Sequence, residues 1–339
     1  MMINKTVKLF VGTVLGILFL YLALRGISFQ EFKDTIGAAK WGYFFPLIGL
    51  SVLFFFIKAI RWKWLLHPTE KVETKKLFPS MVVGIAFNYI LFAYVGEFVR
   101  TYLLSRETRM RKASILGSIF LERTFDLMMI LLLTFVALFF SAVSLPHWEE
   151  MKVGFIFTIV TLIFFIAALF VWEDRALKIF AGMLHWLSQD KKNALIQQIQ
   201  LAIKGFHSLG HFDLFLGIVL SSLFMWLAMA GCNYMAMLSV NIQVPFYATF
   251  FTMALLVLGI LLPNTPGHIG VVELCFVITL QPFGVPKAEA FAAGLVFHFF
   301  QYSLYIGWAI YYLHVKGLRF RDVQSEAEQL QASESRHES

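Results

Sequence analysis

Ionisable side chains stand inside some of the most apolar stretches of this sequence. The densest group is LERTFD at 121–126, where Asp126 follows Glu122 by four residues and Arg123 by three. In a helix this spacing places all three side chains on one broad face. A charge at the centre of a membrane helix costs about 2.5–3.5 kcal/mol on insertion scales. We therefore expect these charges to face the interior of a helix bundle, where they either pair with one another or contact a ligand.

A second charged segment is GEFVRTYLL, in which Glu97 and Arg100 are three residues apart and Asn88 comes before them. Two interpretations are open for this segment. The charges form an ion pair that lets the segment exist in the membrane, or Arg100 faces a cavity and binds a ligand. Arg61, in IKAIRWKWLL, is either a topology anchor at the membrane surface or a contact for a lipid headgroup.

The third segment, LLPNTPGHIGVVEL at 261–274, interrupts an apolar run with two prolines and two glycines. Pro263 and Pro266 end one helix, and Gly267 and Gly270 allow close backbone approach before the next helix. Backbone groups cannot stay unpaired in hydrocarbon, so the break must be enclosed by protein or line a wet cavity. Free amides at the start of the new helix would suit a phosphate or a carboxylate.

Glu273 lies in the first turn of that helix, where its carboxylate would already satisfy the positive end of the helix dipole. Two roles are open for it. Glu273 is the structural cap of the helix, or it is protonated for part of a cycle and gives up its place to an anion. His268 adds a titratable group within the same break.

Composition defines the environment of these segments. The 339 residues are 59% hydrophobic and 14% charged, with a mean hydropathy of +0.74, which indicates an all-α integral membrane protein. The net charge of +7 comes from cations between apolar runs, so it indicates topology rather than nucleic-acid binding. Cys232 and Cys275 lie in apolar runs and suggest no redox chemistry. We expect no cofactor and no metal, since His207 and His211 lack a third ligand nearby and no phosphate-binding loop is present.

The apolar runs predict eight hydrophobic units. Lys and Arg are retained in short cytoplasmic loops, and most of the 28 cations fall on one side if two interrupted units re-enter the membrane and the N-terminus is cytoplasmic. This topology counts Lys58 as a loop cation and treats the first run as a retained span. The predicted units are six full spans (7–25, 42–60, 114–142, 153–172, 213–238 and 290–313) and two re-entrant helical hairpins (78–105 and 247–281).

The predicted order of units is the same in the two halves but with opposite orientation. Residues 1–142 and 153–313 would therefore form an inverted-topology repeat, which is typical of transporters with a site near the midplane where interrupted helices meet. Residues 176–211 mix apolar and basic positions and predict a cytoplasmic amphipathic insert. Residues 322–339 are polar and predict a disordered tail.

The three charged segments together resemble the transmembrane flippase-like domain of lysylphosphatidylglycerol synthases and the free-standing bacterial and archaeal membrane proteins similar to it. The family pattern is an Asn followed by Gly-Glu-x-x-Arg, then Glu-Arg-x-x-Asp, then Pro-x-x-Pro-Gly-x-x-Gly-x-x-Glu. The first break lacks the proline often found there, and His268 replaces a common glycine. The pattern falls here on Asn88, Gly96, Glu97, Arg100, Glu122, Arg123, Asp126, Pro263, Pro266, Gly267, Gly270 and Glu273.

The resemblance implies movement of polar lipids between leaflets by a free-standing member that does not itself make lysyl-lipid. We expect a flippase in the cytoplasmic membrane of a prokaryote, with both termini cytoplasmic and membrane lipids as its partners. The expected headgroup contacts are Arg100, Arg123, Asn88, Arg61, His268, Gly267 and Gly270. Charge balance or proton transfer would come from Glu97, Glu122, Asp126 and Glu273.

Two other classes of function stay open at this point. An intramembrane enzyme of lipid or glycan assembly would use the carboxylates as acid and base, although no known hydrolase or ATPase motif is present. A non-catalytic scaffold would instead bind a separate lipid or glycosyl transferase. Assembly into a homo-oligomer is also open.

Overall fold

A computed structural model describes residues 5–91, 95–141, 212–261 and 266–336, together with scattered positions between 153 and 196. The helices with described bounds are α1 (Lys5–Leu24), α2 (Phe29–Gly37), α3 (Phe44–Leu66), α4 (Thr74–Ile90), α5 (Val95–Glu107), α6 (Lys112–Phe140), α7 (Phe212–Ser239), α8 (Ala248–Leu261), α9 (Val271–Leu280), α10 (Lys287–Val315) and α11 (Phe320–Arg336). Short 3₁₀ turns are found at Trp41–Tyr43, Pro266–His268 and Gln281–Phe283. The predicted insert at 176–211, with His207 and His211, lies outside the described residues apart from a few positions.

Four of these helices are long and apolar enough to cross a membrane: α3, α6, α7 and α10. The pair α1 and α2, bent by 80°, would make a fifth span if it is counted as one. The chain is therefore an all-α, multi-pass membrane protein, as its composition predicts. The number of six full spans stays a prediction, because the segment 153–172 lies almost entirely outside the described residues.

The first interrupted unit is an antiparallel hairpin of α4 and α5, called here the first hairpin. At its open end Lys76 Nζ donates to the carbonyl oxygen of Glu107 over 3.4 Å. Near its tip the backbones are so close that a Cβ on Gly96 would collide with the Gly84 carbonyl oxygen. Both outer ends of the unit consequently lie on one side, which is the geometry expected of a re-entrant hairpin.

The second hairpin, formed by α8 and α9, is also antiparallel, since the hydroxyls of Thr252 and Thr279 are 2.9 Å apart at its open end. Gly267 and Gly270 have φ angles of 73° and 87°, which favour glycine. A Cβ on Gly270 would lie 2.7 Å from the carbonyl oxygen of Gly16. The close backbone approach predicted for this break is therefore an approach to α1.

The two hairpins reach the middle of α10 from its opposite ends. The open end of the first hairpin is bound to the end of α10 through Glu107 and Lys316, 2.6 Å apart, whereas the second hairpin leads directly into the start of α10. At the tips, the Tyr89 ring packs on the His268 ring at 5.1 Å and on Tyr305 at 4.8 Å. The two breaks therefore meet, and the inverted repeat that would explain this stays a prediction.

Small residues hold α3 and α7 together along much of their length. Gly231 of α7 lies against Leu50 of α3, where an added Cβ would be 2.8 Å from a Leu50 methyl carbon. At the next residue of each helix, the Ser51 hydroxyl lies 3.3 Å from Cys232 Sγ. This packing fixes α3, which carries two of the charged residues described below.

The prediction of a disordered tail from 322 is wrong for the residues that form α11. Phe320 stacks on Phe87 of the first hairpin with ring centroids 4.3 Å apart. Val323 and Ala327, on the inner face of α11, are also buried. The apolar residues of this polar segment are few, but they recur at helical spacing and form one stripe that packs against the hairpin.

Candidate functional site

Seven ionised side chains from three helices form one group, which we call the central ion cluster. Helix α3 supplies two of them, the second helix of the first hairpin supplies two, and α6 supplies three. Its members are Lys58, Arg61, Glu97, Arg100, Glu122, Arg123 and Asp126.

One buried pair in this cluster joins Arg100 to Glu122. The guanidinium NH2 lies 2.8 Å from Glu122 Oε2, and NH1 donates to Oε1 over 3.4 Å. Arg100 is 1% exposed and Glu122 is fully buried. The Trp62 ring lies beneath the guanidinium at 4.1 Å and donates its own N–H to Ser118. Arg100 is thus held by a carboxylate in its plane and an aromatic face below it.

Arg61 and Asp126 form the second buried pair, with 2.6 Å between NH1 and Oδ1. Ser222 accepts a further hydrogen bond from Arg61 NH1, and Trp226 donates its indole N–H to the same Asp126 oxygen. Arg61 is fully buried. The interpretation of Arg61 as a surface topology anchor is therefore wrong, because α3 continues beyond it to Leu66 and carries it into the bundle.

Lys58 completes the cluster and was missed as a site residue by the sequence analysis, which counted it as a loop cation. Its Nζ lies 2.5 Å from Glu122 Oε1 and 3.5 Å from Asp126 Oδ2. Eight more residues of α3 follow it, about 12 Å of helix at 1.5 Å per residue. One sequence feature could have identified Lys58 as a site residue. It lies three residues before Arg61, so the two cations share one face of an apolar helix.

One edge of the cluster reaches the protein surface. Arg123 forms an ion pair with Glu97, and 46% of the Arg123 side chain is exposed. Asn88 donates to the same Glu97 oxygen over 3.3 Å and accepts the backbone N–H of Gly96 at 2.8 Å. Asn88 therefore ties the two helices of the first hairpin together and orients Glu97 toward Arg123.

The charges of the central ion cluster do not balance. Its four cations face three carboxylates, which leaves one surplus positive charge. Within the described part of the chain, three buried guanidinium nitrogens have no hydrogen-bond partner, namely Arg61 Nε, Arg61 NH2 and Arg100 Nε, and neither has Glu97 Oε2. Unpaired N–H groups with a net positive charge would favour an additional anionic acceptor.

A second, separate polar group lies at the break of the second hairpin. Glu273 Oε2 accepts the Gly270 backbone N–H at 2.8 Å, and Glu273 Oε1 lies 2.7 Å from Nδ1 of His298. In this structure Glu273 is the cap of α9, so the amide of Gly270 is not left for an anion. His298 was not predicted as a site residue, and its only sequence signal is an imidazole within the apolar sequence of α10.

His268 is placed by the structure between the two hairpins, and not in the central ion cluster. Its φ is 56°, a conformation uncommon for a residue other than glycine, and its ring packs on Tyr89. Tyr89 directly follows Asn88, which is hydrogen-bonded to Glu97, the ion-pair partner of Arg123. Tyr89 thus stands between the surface edge of the cluster and the second break.

A small cleft opens at the base of the first hairpin, with a volume of ≈ 180 Å³. Here Lys316 donates to Glu107 at 2.6 Å, which raises the pKa of this lysine, and the Tyr312 hydroxyl donates to the same oxygen. Among the described residues no three His, Cys, Asp or Glu side chains lie together as a metal site would need. The cleft is lined by Ser80, Leu103, Arg106, Glu107, Tyr312, Lys316 and Leu318.

Apolar spanning helices that enclose buried ion pairs, together with two interrupted hairpins, define this chain as a polytopic membrane protein with a charged interior. The chain belongs to the family described as Lysylphosphatidylglycerol synthase TM region, which matches residues 9–309. It is also similar to a UPF0104 membrane protein of Methanocaldococcus jannaschii, at 24% identity over 216 residues that cover 63% of this chain and 87% of that protein. No solved structure matches the chain. The resemblance noted in the three charged segments is confirmed for the family.

Proposed function

We propose that this protein moves a phosphate-bearing lipid between the leaflets of the cytoplasmic membrane of a prokaryote, and that the central ion cluster binds the headgroup. The observation that carries this proposal is the surplus positive charge of the cluster. Among the described residues Arg61 Nε and Arg100 Nε have no hydrogen-bond acceptor, and Arg61 NH2 has only a 3.5 Å ion contact with Glu122. A phosphate ester would supply both the missing negative charge and the missing acceptors.

The surface edge of the cluster offers a route by which a headgroup would enter. Arg123 is half exposed and bound to Glu97, which lies next to Arg100. A phosphate that reached Arg123 would compete with Glu97 for the guanidinium and then meet Arg100. In this conformation the ion pairs fill the site, so binding requires that carboxylates exchange their partners for the phosphate.

A lipid fits this route better than a water-soluble anion, because Arg123 lies on α6, one of the apolar spanning helices. The acyl chains would stay in the bilayer while the headgroup passes between the hairpin tips. Membership of a family named for the membrane region of a lipid-modifying synthase also supports a lipid substrate.

The test is lipid exchange in vesicles that contain the purified protein, with labelled phospholipids and labelled polyprenyl phosphates as separate probes. The wild-type protein should exchange at least one phosphate-bearing lipid faster than empty vesicles. Arg123→Gln should slow that exchange about tenfold or more, because a hydrogen bond to a charged group contributes about 1.5–3 kcal/mol. No exchange of any probe by the wild-type protein would overturn the proposal.

The matched control is Lys75→Gln, which removes a cation whose side chain is 76% exposed and which pairs only with Glu73 in the described part of the chain. This variant should exchange lipid at the wild-type rate. Equal rates for Arg123→Gln, Lys75→Gln and the wild type would mean that the central ion cluster is not the headgroup site, even if lipid is moved.

A further inference from the structure

His298, in the interior of α10, lies between two hydrogen-bond acceptors of the second break. Its Nδ1 is 2.7 Å from Glu273 Oε1, and its Nε2 is 2.6 Å from the carbonyl oxygen of Gly267. Both side chains are removed from solvent, with His298 7% exposed and Glu273 2% exposed. Both distances are those of hydrogen bonds, so both contacts require a proton between the atoms.

A neutral imidazole has one N–H donor and one lone pair, whereas a carbonyl oxygen and a carboxylate are acceptors only. Neutral His298 beside ionised Glu273 would therefore leave one lone pair directed at an oxygen. Two arrangements avoid this. His298 is an imidazolium beside a carboxylate, or His298 is neutral and receives a hydrogen bond from a protonated Glu273. Each arrangement holds one proton more than the neutral and ionised pair.

We infer that His298 and Glu273 form a single proton-binding site that holds the break of the second hairpin closed. The pair joins two points of the break, because Glu273 binds the Gly270 amide and His298 binds the Gly267 carbonyl. Loss of the proton would leave the link between α9, α10 and the break one hydrogen bond short. The break would then be free to separate from α10.

Among the described residues, the other titratable groups around the pair are thiols, phenols and one imidazole, and none is a carboxylate, a lysine or an arginine. Helix α9 adds Cys275, the break adds His268, α4 adds Tyr89 and α10 itself adds Tyr302. On α7, Cys232 contacts Ser51, which is bonded to Gln301, one turn from His298. Tyr21 is the titratable group on the part of α1 whose side chains are described, and it is exposed. The charged residues of α2 lie at the outer end of α10, where Phe32 packs on Phe291, two turns from His298. Glu273 is thus the charged partner of His298.

The consequence for transport rests on the proposed function. The break that His298 holds is in contact with Tyr89 at the tip of the first hairpin, and Tyr89 directly follows Asn88, which binds Glu97, the partner of Arg123. Release of the proton would alter this contact at the edge of the headgroup site. Lipid exchange would then be coupled to binding and release of a proton at the second break.

The proton is tested directly on ¹⁵N-histidine-labelled protein by NMR, with His298→Gln to assign the signal, and by infrared absorption of carboxylic acid groups. Over the range from about pH 5 to about pH 9 the extra proton should be lost as the pH rises, and at the lower end one of two results is expected. His298 shows two protonated nitrogens, or it shows one together with a carboxylic acid band that Glu273→Gln removes. A neutral His298 beside an ionised Glu273 over the whole range would overturn the inference, whatever the lipid assay shows.

Glu273→Gln also tests the coupling. Its amide oxygen would accept the Gly270 N–H, and its NH₂ group would donate to His298, whose other nitrogen then donates to Gly267. The break is thus fully hydrogen-bonded without the extra proton. Lipid exchange should lose its pH dependence in this variant, whereas the wild type and the control Lys75→Gln should keep theirs. A wild type that exchanges lipid at a rate independent of pH would remove the coupling, and one that exchanges no lipid would remove the proposed function but leave the proton site standing.

Discussion

Glu122 Oε2 accepts a hydrogen bond from Arg100 NH2 at 2.8 Å and so joins two helices. Arg100 belongs to the first hairpin, and Glu122 belongs to the spanning helix α6. The other carboxylate oxygen contacts Lys58 at 2.5 Å and Arg61 at 3.5 Å. One fully buried carboxylate therefore neutralises charges from α3 and from the first hairpin at the same time. Glu122 is the centre of the cluster and is one of the contacts that attach the hairpin to the bundle.

We predict that Glu122→Gln destabilises the fold strongly. Removal of one partner from a buried ion pair leaves an uncompensated charge and costs about 3–5 kcal/mol. Here the loss adds to a surplus of positive charge that already exists. Thermal unfolding of the purified protein in detergent should show a large decrease in the midpoint. Glu73→Gln, which removes an exposed carboxylate paired with Lys75, is the control and should leave the midpoint unchanged.

A second prediction concerns the close contact of the two helices in the first hairpin. A Cβ on Gly96 would collide with the backbone of Gly84 and lie 2.5 Å from Asn88 Oδ1. Gly96→Ala should therefore cost about 1–3 kcal/mol through overpacking and should reduce lipid exchange as the hairpin separates. Gly49→Ala is the matched control, because nothing lies within 4 Å of its added Cβ. That substitution should be neutral or stabilising, and equal losses in both variants would contradict the tight contact.

The insertion cost of charge explains which parts of the site were predictable. It predicts that Glu122, Arg123 and Asp126 face the interior, and the structure places them there, with Arg123 at the surface edge. The insertion cost does not predict that Lys58 is buried, because a cation near the end of an apolar run is equally consistent with a loop. His298 was not predicted because a single imidazole costs little to insert in a membrane helix and because no motif surrounds it. Which cation pairs with which carboxylate depends on helix packing, and no local sequence pattern encodes that.

The third prediction separates two roles of Asn88. Asn88→Ala removes the acceptor of the Gly96 N–H, and a buried donor left without an acceptor costs about 1–3 kcal/mol. Asn88→Asp keeps that acceptor but places a carboxylate against Glu97, where Asn88 now donates at 3.3 Å. If orientation of Glu97 toward Arg123 matters for the headgroup, Asn88→Asp should slow lipid exchange more than Asn88→Ala does, although it retains the acceptor of the Gly96 N–H. The reverse order would show that Asn88 is only structural.

The final prediction concerns α11, which the polar sequence concealed. Val323 is 1% exposed and faces the first hairpin, so Val323→Asp would place a charge in an apolar contact and should release the helix. Gln329→Asp introduces the same side chain at an exposed position and is the control. Limited digestion with trypsin, followed by mass analysis of the released peptides, should show faster cleavage at Arg319 and Arg321 in Val323→Asp than in either the control or the wild type.

Because Phe320 stacks on Phe87, release of α11 should also expose the inner face of the first hairpin, and Val323→Asp should unfold at a lower temperature than Gln329→Asp. Rapid cleavage of all three proteins, the wild type included, would mean that α11 does not stay docked, and its packing would then contribute nothing to the hairpin that carries Arg100.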